Sequence, residues 1–134
     1  ALLRARIASR GLGDRVVIDG GTRASALYPD ADWVLCPSRS EGFPLVPMEA
    51  AEAGVPVVLS AIAPHLERFG AVTGAILPAD ESAWPAVLST LLTDPSARDR
   101  VARAQREAIP ADPRGDFSDA YEALYRRAAR WPGE

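Results

Sequence analysis

Short apolar runs alternate with stretches in which apolar residues recur every three or four positions, and this alternation lays out the elements of the chain. The opening ALLRARIASRGLGDR reads as the middle of an amphipathic helix. Ala1, Leu2, Ile7 and Leu12 fall on one side, and Gly11 or Gly13 supplies a left-handed stop. RVVID at 15–19 predicts a strand, GGT a turn, and RASALYPDA at 23–31 a helix with Thr22 as its N-cap. WVLCPS at 33–38 predicts a second strand, continuously apolar as a strand covered on both faces should be. LVPMEAAEA at 45–53 is then a short helix ended by Gly54, and VPVVLS at 55–60 a third strand.

PHLERF at 64–69 predicts another short helix, and GAILP at 74–78 a fourth strand. Asp80 is the expected cap of a helix through WPAVLSTLL, with Pro85 about one turn inside it, where a proline removes a hydrogen bond. Asp94, Pro95 and Ser96 open SARDRVARAQREA, whose charged face is expected in solvent. The loop IPADPRGD leads to a last helix, FSDAYEALYRRAARW. Trp33, Trp84, Tyr121 and Tyr125 read as packing residues. Strands alternating with helices predict an α/β layered domain with a parallel sheet.

Composition narrows the function classes. A chain of 134 residues, 48% hydrophobic and 25% charged, can bury one core. Net charge −3 and the lack of a basic stripe argue against nucleic acid as a partner. All 15 basic residues are arginine, which points to a GC-rich, bacterial coding sequence. The single cysteine, Cys36, forms no internal disulfide or cysteine cluster and reads as a small buried hydrophobe in a strand. No apolar run has the length of a membrane span, so a cytoplasmic location is the default expectation. The helical opening without Met suggests that the chain is part of a longer protein.

In a parallel sheet, ligands bind at the carboxyl ends of the strands. SRSEGFPLV follows the 33–38 strand at that end and runs into a helix start, where several backbone N–H groups are expected without partners and an anion is stabilised. Glu41 lies just before that start, and Glu49 about one turn beyond it, with seven residues between them. Two carboxylates repel a phosphate but suit vicinal hydroxyls on either side of one. The ligand that fits is a nucleoside diphosphate sugar.

The run LYPDADWVLCPSRSEGFPLVPMEAAEAGVPVVLS resembles the donor-binding half of retaining glycosyltransferases of GT-B architecture, the glycosyl transferase group 1 family. GLGDRVVIDGG before it and PHLERFGAVTGAILPADESAWPAVLSTLLTDPSARDRVARAQREA after it extend the resemblance over about residues 8–108. The resemblance implies a Rossmann-like parallel sheet and makes residues 1–134 part of a C-terminal donor-binding domain, with 109–134 as its loop and tail helix. By the same resemblance Glu41 is the catalytic candidate, contacting hexose hydroxyls beside the reacting carbon, and Glu49 holds the ribose. Ser38, Arg39, Gly42, Phe43, Pro44, Leu45 and Val46 would line the sugar and diphosphate, and Gly20, Gly21 and Thr22 would meet the nucleobase. No metal or other cofactor is implied.

The implied reaction moves a sugar to a carbohydrate, lipid or small-molecule acceptor with retention, and needs an N-terminal acceptor domain of the same protein, with peripheral membrane contact where the acceptor is a lipid. The family also carries an Arg and Lys pair on the diphosphate, and this chain has no lysine. Without that pair and that domain the chain alone would be inactive. The family's sheet order puts two further strands between those expected at 15–19 and 33–38, so an isolated chain lacking them would be marginal in stability or self-associate. The alternative is a non-catalytic nucleotide-binding or protein-interaction module. Taken alone, Glu41 could be a solvated loop carboxylate and Glu49 a helix-surface charge. His65 reads as a cap or surface residue, and Glu67 as a local helix-start hydrogen-bonding group.

Overall fold

The computed structural model describes residues 2–72, 75–109 and 121–127. Its elements in chain order are α1 (Leu2–Ser9), β1 (Val34–Cys36), α2 (Leu45–Glu52), β2 (Val57–Ser60), α3 (Ala63–Phe69), β3 (Ile76–Leu77), α4 (Trp84–Thr93) and α5 (Ala97–Glu107). Residues 121–127 are also helical, within the predicted last helix; its remainder and most of the loop before it lie outside the described residues. The three strands are parallel in the order β1-β2-β3. Val34 lies beside Val57, and Leu59 beside Ile76.

All four residues of β2 are buried, and their side chains alternate between two cores. Val57 and Leu59 join Cys36, Met48, Ala50, Ala51 and Phe69 on one face. Val58 joins Leu77, Leu91, Ala97 and Val101 on the other, with Trp33 and Trp84 packed alongside. Helix α2 packs on β1 and β2, so the sheet is layered between helices as the alternating pattern predicts.

Helix α2 stops where expected. Gly54 adopts φ of 79°, a left-handed conformation that glycine takes without the Cβ penalty. Its N–H donates to the Ala51 carbonyl and the Val55 N–H to the Ala50 carbonyl, the paired bonds of a Schellman ending.

Five expectations are corrected. Residues 15–19 form no strand: no strand among the described residues lies alongside to complete a ladder, and Val17 is 88% exposed. The 23–31 segment forms two turns of 3-10 helix, Ala24–Ala26 and Tyr28–Asp30, because Pro29 has no N–H with which to continue an α-helix. Among the described residues strand β1 is an edge strand, and its faces are not both covered: Leu35, on the face that Val58 shares, is 47% exposed. Pro85 falls in the first turn of α4, where its missing N–H costs nothing, because Asp80 caps a preceding 3-10 turn, Glu81–Ala83, by accepting from the Ser82 N–H. Trp84 packs as expected, its indole N–H donating to the Pro78 carbonyl at 2.7 Å, whereas Tyr121 and Tyr125 are exposed, with their rings tilted against each other.

The charged helix α5 hides one polar residue that its pattern did not single out. Leu59 takes a ladder bond from β3, its N–H donating to the Ala75 carbonyl, but two residues earlier β3 no longer reaches Val57. The fully buried Gln105 fills that place. Its Oε1 accepts from the Val57 N–H at 2.8 Å and its Nε2 donates to the Val57 carbonyl at 2.7 Å, so one carboxamide stands in for a strand residue.

Replacing Gln105 with Leu keeps the volume and leaves two buried backbone groups unpaired, so we expect a loss of about 2–6 kcal/mol in urea unfolding, read as a lower midpoint. Pro85→Ala should change stability by less than about 1 kcal/mol, whereas removing a proline from a helix interior would stabilise by about 3 kcal/mol. A large change at Pro85 would return it to the helix interior.

Candidate functional site

The carboxyl ends of the three strands gather Ser38, Ser60 and the residues after Leu77 on one side of the sheet. The loop after β1 is tied down there from below. Ser60, the last residue of β2, donates its hydroxyl to the Ser38 carbonyl at 2.5 Å. Ser38 in turn donates its own hydroxyl to Oε1 of Glu41 in a short hydrogen bond. The other carboxylate oxygen, Oε2, lies 3.3 Å from Nε2 of His65. Glu41 keeps 22% of its side chain exposed, so it is held and still reachable.

His65 is neither a surface residue nor a cap. It is completely buried in the first turn of α3, with Nδ1 at 2.9 Å from the Ser60 carbonyl and 3.3 Å from the Ser60 hydroxyl. Its position near a helix start suggested capping, but the ring turns inward because β2 ends directly beneath it. Neither Ser60 nor His65 was tied to Glu41 by the sequence; a buried histidine five residues after a strand-end serine was the available signal.

Beyond Glu41 the loop is open. Gly42, Phe43, Leu45 and Val46 are exposed, and Pro44 is buried. Pro44 stands at the N-cap of α2 with no side-chain cap. Fewer helix-start amides are available than the sequence suggested: Leu45 N–H folds back on the Phe43 carbonyl, Met48 N–H closes the first turn on Pro44, and Pro47 has none. Among the described residues, the N–H groups of Gly42, Phe43 and Val46 have no protein acceptor.

Glu49 is exposed on α2 and is approached by the buried Tyr28, whose hydroxyl donates to Oε2 at 3.3 Å and to the Val46 carbonyl at 3.4 Å. Burial first, then the Glu49 charge, pushes the Tyr28 phenol up. Burial, with a smaller contribution from Glu41, raises the Cys36 thiol to about 11, which makes it the inert strand residue that its surroundings predict. The exposed Arg39 is paired with Glu81. Its guanidinium makes a two-pronged contact with Glu81, Nε to Oε1 at 3.2 Å and Nη2 to Oε2 at 3.3 Å, linking the loops after β1 and β3. Both partners are exposed, and such pairs contribute little, so the arginine is easily released.

The turn of Gly20, Gly21 and Thr22 is organised by Asp19, whose Oδ1 accepts from the Gly21 and Thr22 N–H groups at 2.9 and 3.1 Å. Thr22 therefore caps no helix: it serves the Asp19 carboxylate. No hydrogen bond or ion pair among the described residues joins this turn to the Glu41 loop. Among those residues no group of three or more His, Cys, Asp or Glu side chains is arranged to hold a metal ion, and no helix is long and apolar enough to cross a membrane.

With that geometry established, the chain can be set beside known proteins. The family described as Glycosyl transferases group 1 matches residues 1–94. A glycogen synthase of Mycobacterium tuberculosis is 38% identical over 93 residues, 68% of this chain and 22% of that protein. A D-inositol 3-phosphate glycosyltransferase of an Arthrobacter species is 35% identical over 108 residues, 76% of this chain and 25% of that protein. Among solved structures, a sucrose-phosphate synthase from Thermosynechococcus elongatus superposes with a TM-score of 0.76 at 26% identity, covering 93% of this chain and 34% of that one. The chain thus spans a quarter or less of these two curated relatives.

Hydrogen bonds from the Thr22 side chain and from the Gly21 and Thr22 amides lower the Asp19 carboxyl to about 2. The folded value lies below the ordinary one, so the carboxylate steadies the turn fully above about pH 4 and loses its hold as pH falls through about 2. The amide proton shifts of Gly21 and Thr22 should titrate with a midpoint near about 2; a midpoint at the ordinary 3.8 would remove Asp19 as the organiser of the turn.

Proposed function

The chain belongs to the glycosyl transferases group 1 family, and we propose that it supplies the sugar-nucleotide half-site of a transferase that moves a sugar from a nucleoside diphosphate sugar to an acceptor with retention of anomeric configuration. The observation that carries this reading is the pair of glutamates on either side of an uncapped helix start, with the unpaired amides of Gly42, Phe43 and Val46 between and beside them. A carboxylate accepts two hydrogen bonds and suits a vicinal diol, while backbone N–H groups suit a phosphate oxygen.

In this reading Glu41, steadied by Ser38 and beside His65, accepts hydrogen bonds from hydroxyls of the donor hexose next to the reacting carbon. Glu49, approached by Tyr28, takes the ribose hydroxyls. The exposed Phe43, Leu45 and Val46 give the donor an apolar wall, and the Asp19-organised turn of Gly20, Gly21 and Thr22 lies on the nucleobase side. Arg39 can exchange its weak contact with Glu81 for the diphosphate. The chemistry is same-face substitution through an oxocarbenium-like state, with the departing phosphate assisting the incoming hydroxyl. Stabilising the charge on the departing diphosphate is then the chief contribution of this half-site.

The rest of the site, including the surface for a carbohydrate, lipid or small-molecule acceptor, belongs to an N-terminal domain of the longer protein, and this portion alone is inactive. Relatives named for glycogen and for inositol phosphate indicate how far acceptors differ within one family. No metal is required, because amides and arginine neutralise the diphosphate.

The test uses the full-length protein. Its melting temperature should rise with one of UDP, GDP or ADP, and Glu49→Ala should weaken that nucleotide about ten- to 150-fold, the value of one charge-assisted hydrogen bond. Glu41→Gln should lower turnover more than nucleotide affinity. Unchanged affinity at Glu49 would end the ribose assignment, and nucleotide binding without any transfer would favour the non-catalytic module instead.

A further inference from the structure

His65 is completely buried, and its Nε2 has no hydrogen-bond partner even though Oε2 of Glu41 lies 3.3 Å away: the two atoms are at ion-pair distance but out of hydrogen-bond alignment. The other ring nitrogen settles where the first hydrogen sits. Nδ1 is 2.9 Å from the Ser60 carbonyl, and a carbonyl oxygen only accepts, so Nδ1 carries a hydrogen. The Ser60 hydroxyl is consistent with this assignment, since it donates to the Ser38 carbonyl and turns a lone pair toward Nδ1.

With Nδ1 protonated, an uncharged ring would present a bare lone pair at Nε2 to a carboxylate that also only accepts. Two acceptors would then face each other where the ring is closed to water, an arrangement that buried polar groups avoid. One further proton on the Nε2–Oε2 contact removes the conflict and turns it into attraction. Beside Glu41 also stand the Ser38 hydroxyl, bonded to Oε1, and the Cys36 thiol, which burial keeps protonated. Neither supplies the missing proton.

We propose that His65 is a positioning residue for Glu41: the buried ring, fixed on Ser60, presents a proton to Oε2 while Ser38 holds Oε1, and together they aim the carboxylate at the donor sugar. The proposal rests on the donor-site role of Glu41. It adds a residue that touches no substrate and works through the carboxylate, so its loss should appear in turnover and leave nucleotide affinity alone.

Two near-isosteres separate the halves of the ring. In His65→Gln the side-chain amide reaches the place of Nε2 and can still donate to Glu41; in His65→Asn it reaches only the place of Nδ1. In the full-length enzyme, His65→Asn should lower kcat about ten- to a hundredfold with the nucleoside diphosphate Kd unchanged, and His65→Gln should restore most of the turnover. In the Glu41→Gln background, His65→Asn should cause no further loss, since coupled residues are not additive. Equal turnover in the two histidine variants, or an additive loss in the double variant, would overturn the proposal.

If the variants fail to fold, the wild-type protein still decides. The nitrogen-15 signal of His65 Nε2 should report a hydrogen shared with Glu41 and move when Glu41 is changed to Gln; a signal indifferent to that change would overturn the proposal. The two ideas fail differently. Full turnover in Glu41→Gln sinks the donor-site role of Glu41 and this proposal with it, whereas a loss in Glu41→Gln and none in His65→Asn sinks only the role of His65.

Discussion

Strand β2 is buried along its whole length, so each of its backbone polar groups must find a partner inside the protein. Its neighbours on the sheet meet much of that demand: β1 pairs with Val57, Val58 and Leu59, and β3 with Leu59 and Ser60. Strand β3 is only two residues long, and the Val57 backbone beyond its reach is satisfied by the carboxamide of Gln105. This one requirement places α5 against the sheet, since a side chain on its third turn must meet a fixed point on the central strand. The Val101 and Ala97 contacts on the same helix then follow the register that Gln105 sets.

The same strand organises the site from its other end. Ser60 is the last residue of β2, and its hydroxyl and carbonyl fix two different things, the loop after β1 through Ser38 and the first turn of α3 through His65. Both converge on Glu41. A loop carboxylate ordinarily loses side-chain entropy when a ligand orders it. Here Ser38 has already met that cost in the folded state, and buried groups of the protein orient a carboxylate that is only partly exposed. Glu49 is steadied differently, by the Tyr28 hydroxyl, and it sits on a helix whose end is fixed by Gly54.

The layered α/β fold and its parallel sheet were legible because apolar runs and helical periods depend on local spacing alone: β2, α2 and α5 lie within the segments that this spacing predicts, and α4 runs one residue past its own. Gly54 was legible for the same reason, since a stop after LVPMEAAEA needs no tertiary information. Residues 15–19 misled because an apolar β-branched run reveals a preference but not whether a neighbouring strand is there to pair with it. Pro85 misled by one turn: the sequence placed Asp80 at the start of an α-helix, whereas the cap opens a 3-10 turn and the α-helix begins later, at Trp84. Glu41 and Glu49 could be singled out by spacing and by family resemblance. The partners that hold them, Ser60, His65 and Tyr28, could not, because those contacts close across separations that no local pattern records.

The electrostatics of the helix start pose the remaining problem, because in the proposed donor site two carboxylates would lie beside a diphosphate and repel it. The geometry reduces that repulsion. Glu41 keeps its Oε1 on the Ser38 hydroxyl and its Oε2 beside a buried imidazole, so both of its oxygens are turned toward protein groups. Glu81, a third carboxylate at the same end of the sheet, is occupied by Arg39, and both ends of that pair are exposed. An arriving diphosphate can draw the guanidinium away at small cost, since water and salt already screen the contact it leaves. The chain carries net charge −3 and no lysine, so it cannot attract an anion by bulk charge. On the proposed reading it does so locally, with the backbone amides of Gly42, Phe43 and Val46 and one displaceable arginine.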